Sequence, residues 1–224
     1  MHPEWGIFPR CTMAAIKTMA EKYDSSEYVF SCSCVDIYQW ECYDLLNNRQ
    51  KCKVSSDSGI EGYREIQLKT VNDVKKLINT AATHRVTNAT KCNDTSSRSH
   101  AIATLRLTRF NKEDGTVLET SFVFADLSGS ERQSKVSDDK AADAKTSMEG
   151  LAINWDLMGL SKQIEDNRAA LIAKKKAPAG SRNWSLLIKC LKQSIDGKAY
   201  TSMVVCLSQA VHNGFESYYS SVYG

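Results

Sequence analysis

Apolar and polar positions change period several times along the chain, and each change predicts an element. Residues 9–22 (PRCTMAAIKTMAEK) open on proline, tolerated in a first helical turn, and continue with apolar spacing that suits a helix. Residues 27–38 are dense in β-branched, aromatic and cysteine side chains and predict a strand. An asparagine-rich turn follows Tyr43, Asp44, Leu45 and Leu46. Over 71–83 (VNDVKKLINTAAT), Val71, Val74, Leu77 and Ile78 share one helical face, with Asn72 or Thr70 available as its cap. Residues 100–110 (HAIATLRLTRF) and 117–127 (VLETSFVFADL) flank NKEDG, and alternation followed by a polar turn ending in glycine predicts an antiparallel hairpin. A long helix is expected from 141 to about 165, another over 182–194, a strand over 201–208 (TSMVVCLS), and a last helix at the chain end. Helices and strands alternate loosely, which predicts the α/β class with a mixed sheet flanked by helices. No repeat, low-complexity tract or linker interrupts this order, so residues 1–224 read as one domain.

Composition acts mainly by exclusion. A chain of 224 residues with 42% hydrophobic content can bury a sizeable core. Its 29 Lys and Arg against 26 Asp and Glu are too even to mark the whole chain as a nucleic-acid binder. No apolar run reaches the roughly 18–20 residues of a membrane span. MHPEWGIFPR lacks the basic-then-apolar pattern of a secretory leader, so a cytoplasmic location and no membrane partner are expected. The eight cysteines are sparse beside those of disulfide-bonded secreted domains, and no CxxC pair exists. The four histidines show no ligand spacing, so structural zinc is not expected and the compartment reads as reducing. Cys32 and Cys34 would share one strand face, where free cysteine packs as a small apolar residue.

Charge is distributed unevenly. Residues 168–198 hold eight Lys and Arg against one acidic residue, a local +7, which leaves −4 for the remainder. A concentrated basic surface attracts an acidic partner and weakens as salt rises. Lys174, Lys175 and Lys176, followed by Pro178 and Gly180, read as an exposed loop. Trp184 and Tyr200 near this patch offer stacking surfaces, but no recognisable nucleic-acid module accompanies them, and nucleic acid is not the favoured partner.

Candidate chemistry sits in two segments. In the first, Asn93 to His100 (NDTSSRSH), hydroxyl and amide side chains crowd Arg98 immediately before a strand. Taken alone, this is a polar loop capping that strand. In the second, the apolar run Phe122–Ala125 ends in Asp126, with Gly129 three residues on and Glu131 two beyond. An Asp at the carboxyl end of an apolar strand suits a water-mediated hold on Mg²⁺. A glycine there lets a backbone N–H approach a terminal phosphate. Hydroxyls of the first loop could ligate the metal or orient an attacking water, and Arg98 and Glu131 could pair to close the site.

With these residues in view, the sequence resembles the kinesin motor domain. NxxSSRSH is complete at 93–100, and DLSGSER at 126–132 differs by one small residue from the family's DLAGSER. GIFPR at 6–10 is similar to GIIPR, and VDIYQWECYDLL at 35–46 to EIYNExxxDLL. EGLAINWDLMGL at 149–160 resembles the long helix that faces the microtubule, and residues 181–199 the YRDSKLTRLLxDSLGGN helix. The likeness covers essentially the whole chain and corresponds to about the last two-thirds of a motor domain, without its N-terminal strands.

The resemblance implies a P-loop NTPase-related fold, ATP with Mg²⁺ as cofactors, and microtubules (tubulin) as partner, with another kinesin chain as a further one. It implies that Asn93, Ser96 and Ser97 belong to the first switch and Asp126 and Gly129 to the second. Ser97 and Asp126 would serve the metal. Ser96, with the Arg98–Glu131 ion pair, would position the attacking water. Lys162, Lys174, Lys175, Lys176, Arg182, Lys189 and Lys192 would meet tubulin, and the location would be cytoskeletal.

Phosphoryl transfer by this machinery also needs GxxxxGK[ST], whose backbone N–H groups and lysine cradle the phosphates. The sequence contains one Gly-Lys pair, Gly197-Lys198, followed by Ala199 and with Lys192 where the leading glycine belongs. These residues alone are therefore expected to be inactive or very weakly active as an ATPase. The alternative is a nucleotide-independent module that binds microtubules or a partner motor. In the family's sheet the strand feeding the phosphate loop lies between the strand ending at Asp126 and the run 201–208. Without it, those two are expected either to pair directly or to leave an open edge. Trp155 and Asp156, where the family's INKSL has Lys and Ser, and Leu186, where DSKLT has Lys, are departures on the output side.

Overall fold

A computed structural model describes residues 5–55, 59–86, 98–129, 140–175, 185–210 and 213–223. Strand β1 (Tyr28–Tyr38) is its axis, buried almost continuously because helices cover both faces. Its even-numbered Phe30, Cys32 and Cys34 enter one core and its odd-numbered Val35 and Ile37 another, the period of two that a strand imposes. Gln39 and Trp40 follow with φ of 48° and 64°, a two-residue turn that reverses the chain into β2 (Glu41–Asp44).

The sheet grows outward by antiparallel pairing. β2 pairs β3 (Gln50–Ser55), which pairs β4 (Gly59–Glu61), while β5 (Ile66–Gln67) pairs β1. On the opposite side β1 pairs β6 (His100–Phe110) along its length, and β6 pairs β7 (Val117–Asp126) through the predicted hairpin. The order is β4-β3-β2-β1-β6-β7, with β5 off this path.

Helices α1 (Ile7–Lys22) and α2 (Val71–Val86) cover the first face, where Phe8, Ile16, Val74 and Leu77 pack on Phe30 and Leu105. Helices α3 (Lys140–Ile172) and α4 (Leu186–Ile195) cover the second, where Leu160, Leu187 and Leu191 pack on Val35, Ile37 and Ile102. Helix α5 (Gly214–Tyr223) ends the described chain. Of the two caps offered by the sequence for α2, Thr70 is used. Its hydroxyl accepts from the Asp73 N–H at 3.2 Å, and Asp73 accepts back from the Thr70 N–H at 2.8 Å. This reciprocal pair satisfies two donors at once.

Helices on both faces of a sheet give the expected α/β architecture. Pairings between the described strands are all antiparallel. The run 201–208, expected as a strand, is a correction: it belongs to no strand, and Val204 and Leu207 are exposed. A ladder needs a neighbour for its N–H and C=O groups, and β7 does not provide it here. Among the described residues β7 pairs with β6 alone, and Val117, Leu118 and Phe122 along it are exposed. Of the two outcomes expected, the sheet takes the open edge.

Candidate functional site

Asp126 ends β7 opposite Ala101 of β6, one residue past His100 in the ladder. The start of β6 and the end of β7 thus bring Arg98, Ser99 and His100 beside Asp126, Leu127, Ser128 and Gly129. Asn93, Ser96, Ser97 and Glu131 lie outside the described residues, and with them the expected Arg98–Glu131 pair.

Two side chains that the sequence reading did not assign to this site tie it together. The first is Arg85, in the last turn of α2, where a cation also suits the helix dipole. Its Nη1 donates to Asp126 Oδ2 at 2.7 Å and its Nη2 to the Ser99 carbonyl at 3.3 Å. Its Nε lies 3.9 Å from Oδ1 of Asp36, a β1 carboxylate with 1% of its side chain exposed. Asp36 in turn accepts from Arg49 Nη1 at 2.8 Å. Carboxylate and guanidinium alternate from Asp126 through Arg85 and Asp36 to Arg49, so each buried charge has an opposite neighbour.

The second is His100, the first residue of β6. It is buried, and its Nδ1 accepts from the Ser128 backbone N–H at 3.1 Å. Accepting at Nδ1 leaves the ring proton on Nε2, which lies 3.6 Å from Asp156 Oδ2 on α3. That separation is an electrostatic contact rather than a hydrogen bond. His100 therefore bridges the loop after β7 to α3, and does so through Asp156, one of the two departures noted in that helix.

For a metal, the described donors fall short. Asp126 has one oxygen taken by Arg85, and among the described residues no three His, Cys, Asp or Glu side chains are grouped to hold an ion. Mg²⁺ demands a near-octahedral set of oxygens, several of them from water and substrate phosphates. Among the described residues, a single carboxylate held by a guanidinium does not meet that demand.

The basic side chains expected to meet tubulin divide by environment. Lys176 and Arg182 lie outside the described residues. Lys162 is exposed but pairs with Asp166 at 2.9 Å, and this hydrogen bond raises its pKa above the ordinary lysine value. Lys189 and Lys192 on α4 are half-buried. Gln163 and Asn167 of α3 line one hollow with Lys192, and the Asn167 amide donates to the Ile195 carbonyl, which fixes α3 against α4.

Lys174 and Lys175 are exposed at the end of α3. The Lys175 N–H reaches the Ala170 carbonyl at 2.9 Å and the Lys174 N–H the Leu171 carbonyl at 3.2 Å, with Lys174 at φ 52°. This is a Schellman closure with lysine in the left-handed position that glycine prefers. Lys174→Gly is accordingly expected to raise stability by about 1 kcal/mol, read as an upward shift of the denaturation midpoint. An unchanged or lower midpoint would show that the lysine is unstrained.

A family model of the kinesin motor domain matches residues 1–224. The chain is similar to kinesin-related protein 3 of Dictyostelium discoideum, 29% identical over 217 residues, covering 95% of this chain and 17% of that protein. It is also similar to the human chromosome-associated kinesin KIF4A, 32% identical over 219 residues, covering 94% of this chain and 17% of that one. A solved structure of a fast kinesin superposes with a TM-score of 0.79 at 25% identity, covering 97% of this chain and 60% of the other. The chain therefore spans about a sixth of these curated relatives and three-fifths of that solved chain.

Proposed function

The chain belongs to the kinesin motor-domain family, and from that premise we propose that residues 1–224 supply the two switch segments of an ATP site and a salt-sensitive microtubule-binding face, without a phosphate cradle of their own. The observation that carries this reading is the meeting of the β6 start and the β7 end around Arg85 and His100. Residues 93–100 and 126–131 match the family's switches, and the described ends of both are in contact with one another and with α3. On this reading Asn93, Ser96 and Ser97 serve the phosphate, metal and water side, with Asp126 and Gly129 opposite. Arg98 and Glu131 close the site.

His100 and Asp156 give that site a route to α3, and α3 packs on α4. Movement of the loop at Ser128 would shift the His100–Asp156 contact and with it the helix carrying Lys162, Lys174 and Lys175. Phosphates would have to be cradled by residues other than these 224, because the sequence holds no GxxxxGK[ST].

The Arg85–Asp126 pair favours a second reading, in which the same face binds microtubules or a partner motor chain whatever the nucleotide. A guanidinium on Asp126 competes with a metal-bound water for the same carboxylate. Microtubule co-sedimentation across a salt series tests the face that both readings share. Binding is expected at low salt and lost as salt rises, since exposed charges are screened over about 10 Å at 0.1 M. Failure to sediment at any salt would reject both.

A further inference from the structure

Three thiols that play no part in the nucleotide or microtubule reading converge where α4 meets the sheet. Cys42 and Cys52 stand directly opposite each other on β2 and β3, so both side chains leave the same face. That face is the core beneath α4, and Cys190 of α4 packs into the same cluster. All three are free thiols; Cys42 and Cys52 are buried, while Cys190 is partly exposed. Cys190 packed beside it, then burial, pushes the Cys42 thiol far above its ordinary range. Burial first, then the neighbouring Cys42, raises Cys52 to about 12. The two sheet thiols are thus shielded and protonated, and Cys190 is the member of the cluster that a small oxidant can reach.

We propose that Cys190 is an oxidation site that takes a small hydroperoxide and then closes a disulfide with Cys42. In the first step the Cys190 sulfur attacks one peroxide oxygen and the O–O bond breaks. With hydrogen peroxide one water leaves and Cys190 becomes a sulfenic acid. In the second, the Cys42 sulfur attacks the Cys190 sulfur and the S–O bond breaks; the departing hydroxide takes the Cys42 proton as a second water. Two thiols lose two electrons and two protons, and the peroxide is reduced to two waters. The product bond pins α4 to β2 from the core side, beneath Lys189 and Lys192. Neither step depends on nucleotide or microtubules.

The test is non-reducing peptide mapping of the full chain after brief exposure to hydrogen peroxide and alkylation of the remaining thiols. The expected result is a Cys42–Cys190 linked peptide as the dominant intramolecular product, reversed by dithiothreitol and lost in Cys190→Ala. In Cys42→Ala, Cys190 should accumulate as a sulfenic acid trapped by a cyclic dione. Exposed Cys11 and Cys206 supply the internal comparison, because both meet the oxidant without this neighbourhood. Links scattered among Cys11, Cys206 and Cys190, or Cys190 remaining a thiol while those two oxidise, would overturn the proposal in the unaltered chain, whatever the variants do.

Discussion

Arg49→Ala should lower the stability of the fold by about 3–5 kcal/mol, the cost of leaving a buried carboxylate without its closest cation. The carboxylate is Asp36, whose side chain is 1% exposed and whose Oδ2 accepts from Arg49 at 2.8 Å. Arg85 cannot take over without a loss elsewhere. Its Nε is 3.9 Å from Asp36, and its Nη1 and Nη2 are held by Asp126 and the Ser99 carbonyl. Arg49 also lies over the Tyr43 ring, 4.7 Å from its centroid, so alanine removes a cation–π contact worth about 0.5–1 kcal/mol as well. Urea denaturation followed by circular dichroism measures the change. A loss below about 1 kcal/mol would mean that Arg49 is not the group that compensates the buried Asp36 carboxylate.

Reversing Lys174 and Lys175 together to Glu should weaken microtubule binding about tenfold to a hundredfold at low salt, with a shallower salt dependence. Both lie exposed at the end of α3, where reversal changes charge with little loss of packing. Reversal at Lys162 should matter less, because Asp166 already balances that charge at 2.9 Å. Co-sedimentation of the double variant beside the unaltered chain measures the difference. Equal affinities would move the contact away from this end of α3.

Legibility from sequence followed the strength of the local pattern. The hairpin β6–β7 emerged within one residue of its ends, because period-two alternation and the glycine-terminated turn point the same way. Strands β2 to β5 did not emerge. They are two to six residues long, and their turns place Gln39, Trp40, Asn48 and Arg49 in the left-handed region instead of an Asn-Gly or Asp-Gly signature. The run 201–208 misleads for the opposite reason: β-branched content makes a strand possible, but pairing needs a neighbouring edge.

In the candidate site, Asp126 and the start of β6 were legible from their motifs. Arg85 was not, because a helical period says nothing about a carboxylate 41 residues away in sequence. Its position in the last turn of α2, ahead of the serine-rich segment, was the available signal. The bridge that His100 makes from Ser128 to Asp156 was not legible either, because it needed the fold to bring α3 alongside.

Titration of the chain with a fluorescent ATP analogue in Mg²⁺ bears most directly on the proposal that these residues carry no phosphate cradle of their own. Hydroxyls and one guanidinium-bound carboxylate cannot replace the backbone N–H groups and lysine that hold a triphosphate. The expected isotherm shows no saturation at micromolar analogue, and salt should affect microtubule binding more than nucleotide does. Saturable submicromolar binding by these 224 residues would contradict the account, since it would require a phosphate cradle that neither motif provides.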